Sequence, residues 1–149
     1  MSEPHPRVLV LWGSRCEEFA VGLFVAALRR CRVAVQIVGV SGRAMAGDYG
    51  VALVPDVSLC DVLPLMDSVR YVIIPCDVRS LRALRRDPRL ERLLRDAHAQ
   101  EATFIVRDKG IFAWNVVVYP TRESLAAFAQ MLAQTIARQN LRPAPGSNS

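Results

Sequence analysis

Chemistry in this chain has few places to come from. Cys76 closes the apolar run Val72-Ile73-Ile74-Pro75 and is followed by Asp77. Arg107, Asp108 and Lys109 follow a second run, and Gly13-Ser14-Arg15-Cys16-Glu17-Glu18 a third. A thiol at a strand end is a candidate nucleophile or redox centre, because the thiolate is the reactive species and nearby guanidinium groups favour it. Arg79 and Arg107 favour a Cys76 thiolate, whereas Asp77 opposes it. The same position also suits a small buried hydrophobe, since free cysteines are among the most buried residues. A second candidate is the charged set Glu17, Glu18, Asp77, Arg107 and Asp108, with Arg15 and Lys109 beside it. It suits either a binding site for a small charged ligand or a plug of ion pairs, whose desolvation offsets their attraction.

Other chemistries are poorly served. Cys16, Cys31, Cys60 and Cys76 are widely spaced, and only His5 and His98 accompany them, so no metal-ligand spacing exists. Neither a metal nor a cofactor is expected. The cysteines read as four reduced thiols of a cytoplasmic chain. His98 has no cysteine or serine motif positioned to use it as a base. Flavin phosphate needs a loop of small and hydroxyl residues after the first strand, where this chain has two glutamates. A phospho-accepting receiver needs a lysine where Tyr119-Pro120 stands.

The formal net charge is +5, carried almost wholly by arginine. Arg79, Arg82, Arg85, Arg86, Arg89, Arg92 and Arg95 share one helical region, yet no aromatic residues for base stacking lie among them. A solvated or protein-contacting face is favoured there, and nucleic acid is disfavoured. No apolar run approaches the roughly 20 residues that span a bilayer.

The elements that must position these residues follow from hydrophobic pattern. Arg7 to Trp12, Val33 to Val40, Tyr71 to Pro75, Thr103 to Arg107 and Asn115 to Tyr119 read as strands, and Val51 to Val54 as a short one. Helices are expected from Glu17 to Arg30, with Phe19, Leu23, Ala26, Ala27 and Arg30 at helical spacing, and from Ser58 to about Met66. A further helical stretch, Ser80 to Gln100, breaks at Asp87-Pro88. Thr121 opens a final helix whose Leu125, Phe128, Ala129, Leu132 and Ile136 share a face. Continuous apolar strands alternating with helices imply a doubly wound, mostly parallel α/β sheet, a flavodoxin-like three-layer sandwich. Residues 1–140 read as one domain and residues 141–149 as a disordered tail. Ligands in such sheets bind outside the carboxyl ends of the strands, where strand order reverses. Trp12, Phe112 and Trp114 are candidates for a pocket wall or for core, and Ile111, Phe112 and Trp114, if exposed, for an apolar docking patch.

Cys16-Glu17-Glu18, the string Pro55-Asp56-Val57-Ser58-Leu59 and the strand closing at Pro75 together resemble the DJ-1/PfpI family. The resemblance implies the family's class I glutamine amidotransferase-like fold. It also implies a nucleophilic cysteine after a strand, a glutamate from the first strand-helix loop, two glycine amides and often a later histidine. Matched to this chain, those positions are Arg107, Ala20 and Cys76-Asp77, and no later histidine exists. Family members are longer between nucleophile and end. An always-charged guanidinium is no nucleophile. The expectation is therefore a shortened, non-catalytic domain acting as a binding, regulatory or dimerisation module, as a homodimer or with a protein partner. The alternative is a redox or aldehyde-stress enzyme using Cys76.

Overall fold

A computed structural model describes residues 5–41, 44–110 and 112–141. Gly42, Arg43, Ile111 and residues 142–149 of the expected tail lie outside them. The sheet has six parallel strands in the order β5-β2-β1-β6-β7-β8: β1 is Arg7–Trp12, β2 Ala34–Gly39, β5 Val57–Ser58, β6 Val69–Ile74, β7 Thr103–Val106 and β8 Val117–Val118. A separate antiparallel pair joins β3 (Met45–Ala46) to β4 (Ala52–Leu53). The mostly parallel α/β sheet inferred from the sequence is present. The edge strand β5 adds to it, since two residues are too few to leave a hydrophobic pattern.

Helix α1 (Glu18–Arg30) links β1 to β2. Helices α3 (Val78–Leu84) and α4 (Pro88–Ala99) link β6 to β7. These crossovers run in opposite directions from the central pair, so right-handed connections place their helices on opposite faces. The final helix, α5 (Arg122–Leu141), packs on α1. A short α2 (Leu59–Val62) and the 3-10 turn Leu63–Ser68 pack on α4.

The core is centred on β1, in which Val8 to Trp12 have no solvent contact. Burying each such side chain is worth about 1.5–3 kcal/mol. Trp12 and Phe104 therefore belong to the core, and Phe112 and Trp114 pack against it, with Trp114 also stacked on His98 at 4.3 Å. Of the two alternatives for Phe112 and Trp114, core packing is the one seen, with the Phe104 ring at centroid distances of 5.9 and 5.3 Å. The phase of α1 also differs from expectation. Its buried face is Ala20, Val21, Phe24, Val25 and Leu28. Phe19 is consequently left 44% exposed.

Caps end the helices where local chemistry supplies them. Ser58 accepts from the Asp61 amide in a capping box at α2, Asp77 caps α3, and Asp87 caps α4 with Pro88 in its first turn. Helix α1 stops where Arg32 turns left-handed at φ 59.

The β3–β4 hairpin is pinned over the end of the sheet. Trp12 Nε1 donates to the Met45 carbonyl at 3.1 Å, and the Glu18 carboxylate accepts from the amides of Tyr49 and Val51. Gly47 sits inside this clamp. A Cβ there would lie 2.6 Å from the Cys16 carbonyl oxygen and from the Glu18 carboxyl. Gly47→Ala is expected to lower the stability in urea by about 1–3 kcal/mol through forced shifts in a packed turn. Arg15→Gly relieves a left-handed residue, φ 64, and is expected to be neutral or stabilising by up to about 1–2 kcal/mol. Equal denaturation midpoints for Gly47→Ala and the parent chain would contradict this packing.

Candidate functional site

Strand order reverses between β1 and β6, and the loops that leave these two strands are joined there. Cys16 and Cys76 form a disulfide enclosing a sequence separation of 60 residues. The Glu17 amide donates to the Pro75 carbonyl beside it at 2.7 Å. Both cysteines are buried, at 0% and 2% exposure. The expectation of four thiols is corrected accordingly. Cys31 and Cys60 are free, whereas Cys76 offers no thiolate in this state. By loop-closure entropy such a cross-link stabilises the fold by about 4 kcal/mol.

Glu17 follows directly and turns inward, with Tyr119 from the end of β8 donating its hydroxyl to Glu17 Oε2 at 2.9 Å. Tyr119 is itself buried, and its ring meets Phe24 edge-on. Burial and the adjacent Glu17 charge push the Tyr119 phenol far above its ordinary value, so it stays a donor. Arg107, first residue past β7, places Nε 3.9 Å from Glu17 Oε2 and Nη1 4.0 Å from Asp48 Oδ2. Neither contact is a hydrogen bond, and Nη1 is buried without a hydrogen-bond partner.

These groups wall a cavity of about 310 Å³ lined by Glu17, Asp48, Arg107, Asp108, Tyr119 and Arg122, among others. Arg122 also stacks over Tyr49 at 4.5 Å. Of the charged residues singled out in sequence, Glu17, Arg107 and Asp108 come together here. Glu18 does not; its carboxylate holds the hairpin. Asp77 does not either, because it caps α3 by accepting from the Ser80 amide at 2.7 Å. That hydrogen bond holds the Asp77 carboxyl below its ordinary value, and Arg107 and Arg79 add to the effect. Arg15 and Lys109 are solvent-exposed. Asp48 was not foreseen, since only the hairpin fold brings it to the cavity.

No cysteine sulfur and no histidine line this cavity. What it holds is a guanidinium with an unmet donor, carboxylates and a phenol. Such a set of groups can orient a small polar molecule. Among the non-glycine residues described, positive φ occurs at Arg15, Arg32 and Glu101, so the turn at Arg107 is unstrained. On Arg79 to Arg95, ion pairs join Arg85 to Glu91, Arg89 to Asp87 and Arg92 to Asp96, giving the mixed solvated face expected there.

No family model matches the chain, and no curated protein does. Solved structures match well. Drosophila melanogaster DJ-1beta superposes with a TM-score of 0.71 at 16% identity, over 90% of this chain and 91% of that one. The fold is that of the DJ-1/PfpI superfamily. Oxidized DJ-1 from Toxoplasma gondii gives 0.70 at 18% identity, over 90% of this chain and 97% of that one. A DJ-1 superfamily protein of Salmonella typhimurium gives 0.60 at 19% identity, over 68% of this chain and 54% of that one. This chain thus spans about half the length of the Salmonella protein. At these identities the DJ-1/PfpI likeness carries the fold, and residue roles have to come from the site itself.

Two outcomes test this geometry. Tyr119→Phe withdraws the hydroxyl from a buried carboxylate and is expected to cost about 1.5–3 kcal/mol in urea denaturation. A change within error would mean that Glu17 does not rely on it. The Asp77 carboxyl has a lower value folded than its ordinary 3.8. Its contribution is therefore present above pH 3.8 and lost as pH falls through the lower folded value. Asp77→Asn should flatten that part of the acid-denaturation curve; an unchanged curve would remove Asp77 as the cap.

Proposed function

We propose that this chain is a non-catalytic domain of the DJ-1/PfpI fold that acts by binding, as a regulatory or dimerisation module in the cytoplasm. One observation carries this reading. The position after β7, where the family resemblance puts a nucleophile, is Arg107, facing Glu17 and Asp48 across contacts of 3.9 and 4.0 Å. The position of the resemblance's glutamate, Ala20, is buried without a polar group. Cys76, the nucleophile of the alternative reading, is bonded to Cys16.

Glu17, Arg107 and Asp108 form the polar part of the binding site in this reading, with Glu18 and Asp77 supporting it through the hairpin and α3. The surface for a second copy lies beside it. Phe19, Tyr49, Val51 and Val54 are 44%, 60%, 52% and 74% exposed, large values for apolar side chains. Phe19, Tyr49, Val51 and Leu53 border an apolar groove of about 410 Å³ that ends at Arg122. An exposed apolar face of this kind supports homodimerisation or a protein partner, and the resemblance implies dimers as well. The exposed free thiol of Cys60 suits a reducing compartment.

The test is turnover. Purified protein is expected to show no glyoxalase, deglycase or peptidase activity above buffer. Turnover lost on Cys76→Ser or Arg107→Ala would overturn the non-catalytic reading. Light scattering after size exclusion is expected to report a dimer that Phe19→Glu with Tyr49→Glu converts to a folded monomer. A monomeric parent chain would remove the homodimer.

A further inference from the structure

The Cys16–Cys76 disulfide ties the loops that leave the two strands flanking the sheet's switch point. On one side it holds the loop after β1. That loop carries Glu17, and its Cys16 carbonyl accepts from the Asp48 amide at 2.9 Å. On the other side it holds the loop after β6, which carries Asp77, and there the Val78 amide donates to Asp108 Oδ2 at 3.1 Å. Glu17, Asp48 and Asp108 all line the polar cavity. Apart from the disulfide, the Glu17 amide to the Pro75 carbonyl is the backbone hydrogen bond described between the two loops.

The other cysteines frame the chemistry. Cys60 is exposed and free, and Cys31 is half-buried and free. A chain that keeps an exposed thiol unpaired while two buried cysteines are joined has paired them by fold proximity. In reducing compartments, disulfides that do form are mostly transient or redox-sensing.

We propose that Cys16 and Cys76 are a reversible redox site that locks the cavity, opened by a dithiol reductant. A thiolate of the reductant attacks one of the two sulfurs, the Cys16–Cys76 bond breaks, and the released cysteine takes up a proton. The second thiol of the reductant then attacks the mixed disulfide, releasing the other cysteine as a thiol. Two electrons and two protons pass to the pair, and the reductant leaves as its disulfide. The reverse exchange with an oxidised dithiol recloses the bond. Burial of both sulfurs means that attack waits on local opening of the two loops, which makes the lock slow to turn in either direction. Once reduced, the loops are left with the Glu17–Pro75 hydrogen bond, and the cavity wall loosens while the sheet beneath stays closed. This holds whether or not the cavity takes a ligand, so its failure would leave the non-catalytic reading standing.

The test uses the full chain. Alkylation with iodoacetamide in denaturant, after incubation of the native protein with or without dithiothreitol, is read by intact mass. Two adducts, on the free Cys31 and Cys60, are expected without reductant, and four with it. Exposure of the reduced protein to oxidised dithiothreitol is expected to return two. Hydrogen exchange of the amides from 13 to 20 and from 76 to 80 should speed up by about tenfold or more on reduction, with those of β1 and β6 unchanged. Four adducts without reductant would mean that the bond does not form. Exchange that is unchanged, or faster throughout the sheet, would make the bond a passive staple. The Cys16→Ser, Cys76→Ser variant should show the fast loop exchange in either condition; if it does not fold, the parent-chain measurements decide alone.

Discussion

A carboxylate carried into the edge of a parallel sheet has to be answered by charge or hydrogen bonds, and Glu17 imposes that demand here. Its amide is held by the Pro75 carbonyl, and its buried side chain lines the polar cavity. Tyr119 answers with a hydroxyl and Arg107 with a charge. Each answer constrains another element. Tyr119 needs β8 in register with β7, which its amide secures by donating to the Val106 carbonyl at 3.0 Å, and Arg107 needs β7 to stop beside β6, which its amide secures through Ile74. Unpaired, a buried carboxylate costs several kcal/mol. The ends of β1, β6, β7 and β8 are thus positioned around one charge.

The same arrangement places a guanidinium where the resemblance implies a nucleophile. A guanidinium past β7 keeps its charge at any accessible pH and cannot attack a carbonyl. Glu17 and Asp48 face it at 3.9 and 4.0 Å. The hairpin contributes as much as the sheet does. Glu18 and Trp12 anchor it from below, Gly47 allows the close approach, and Asp48 is delivered to the cavity wall as a consequence. Phe19, left outside by the phase of α1, and Tyr49 of the hairpin are both exposed, with Arg122 lying over their rings at 5.7 and 4.5 Å.

Much of this was legible in sequence. Apolar runs too continuous for a half-solvated sheet announced parallel strands covered on both faces, and Asp87-Pro88 marked a cap and a fresh helix. The switch point follows from topology, and with it the candidates Glu17 and Arg107, which the fold brings to one cavity. Other features depend on three-dimensional placement that periodicity does not encode. In α1 the apolar residues are numerous enough to support two phases, and packing against β2 and α5 selects the one with Phe24 and Leu28 inside. Glu17 and Glu18 are adjacent and chemically alike, yet one faces the cavity and the other the hairpin. Cys16 and Cys76 lie 60 residues apart, and only the adjacency of β1 and β6 brings them together. Asp48 sits in turn sequence whose destination is set by the Cys16 carbonyl.

Arg107 and Glu17 are expected to form a mutually dependent pair at the ends of β1 and β7. A double-mutant cycle of Glu17→Gln and Arg107→Met, followed by urea denaturation of all four proteins, tests it most directly. Each single change is expected to destabilise the chain by leaving a buried group unanswered. The double variant is expected to lose less than the sum, with a coupling of about 1 kcal/mol or more. Additive losses would contradict the account, because Arg107 would then merely occupy the position and Glu17 would owe it nothing.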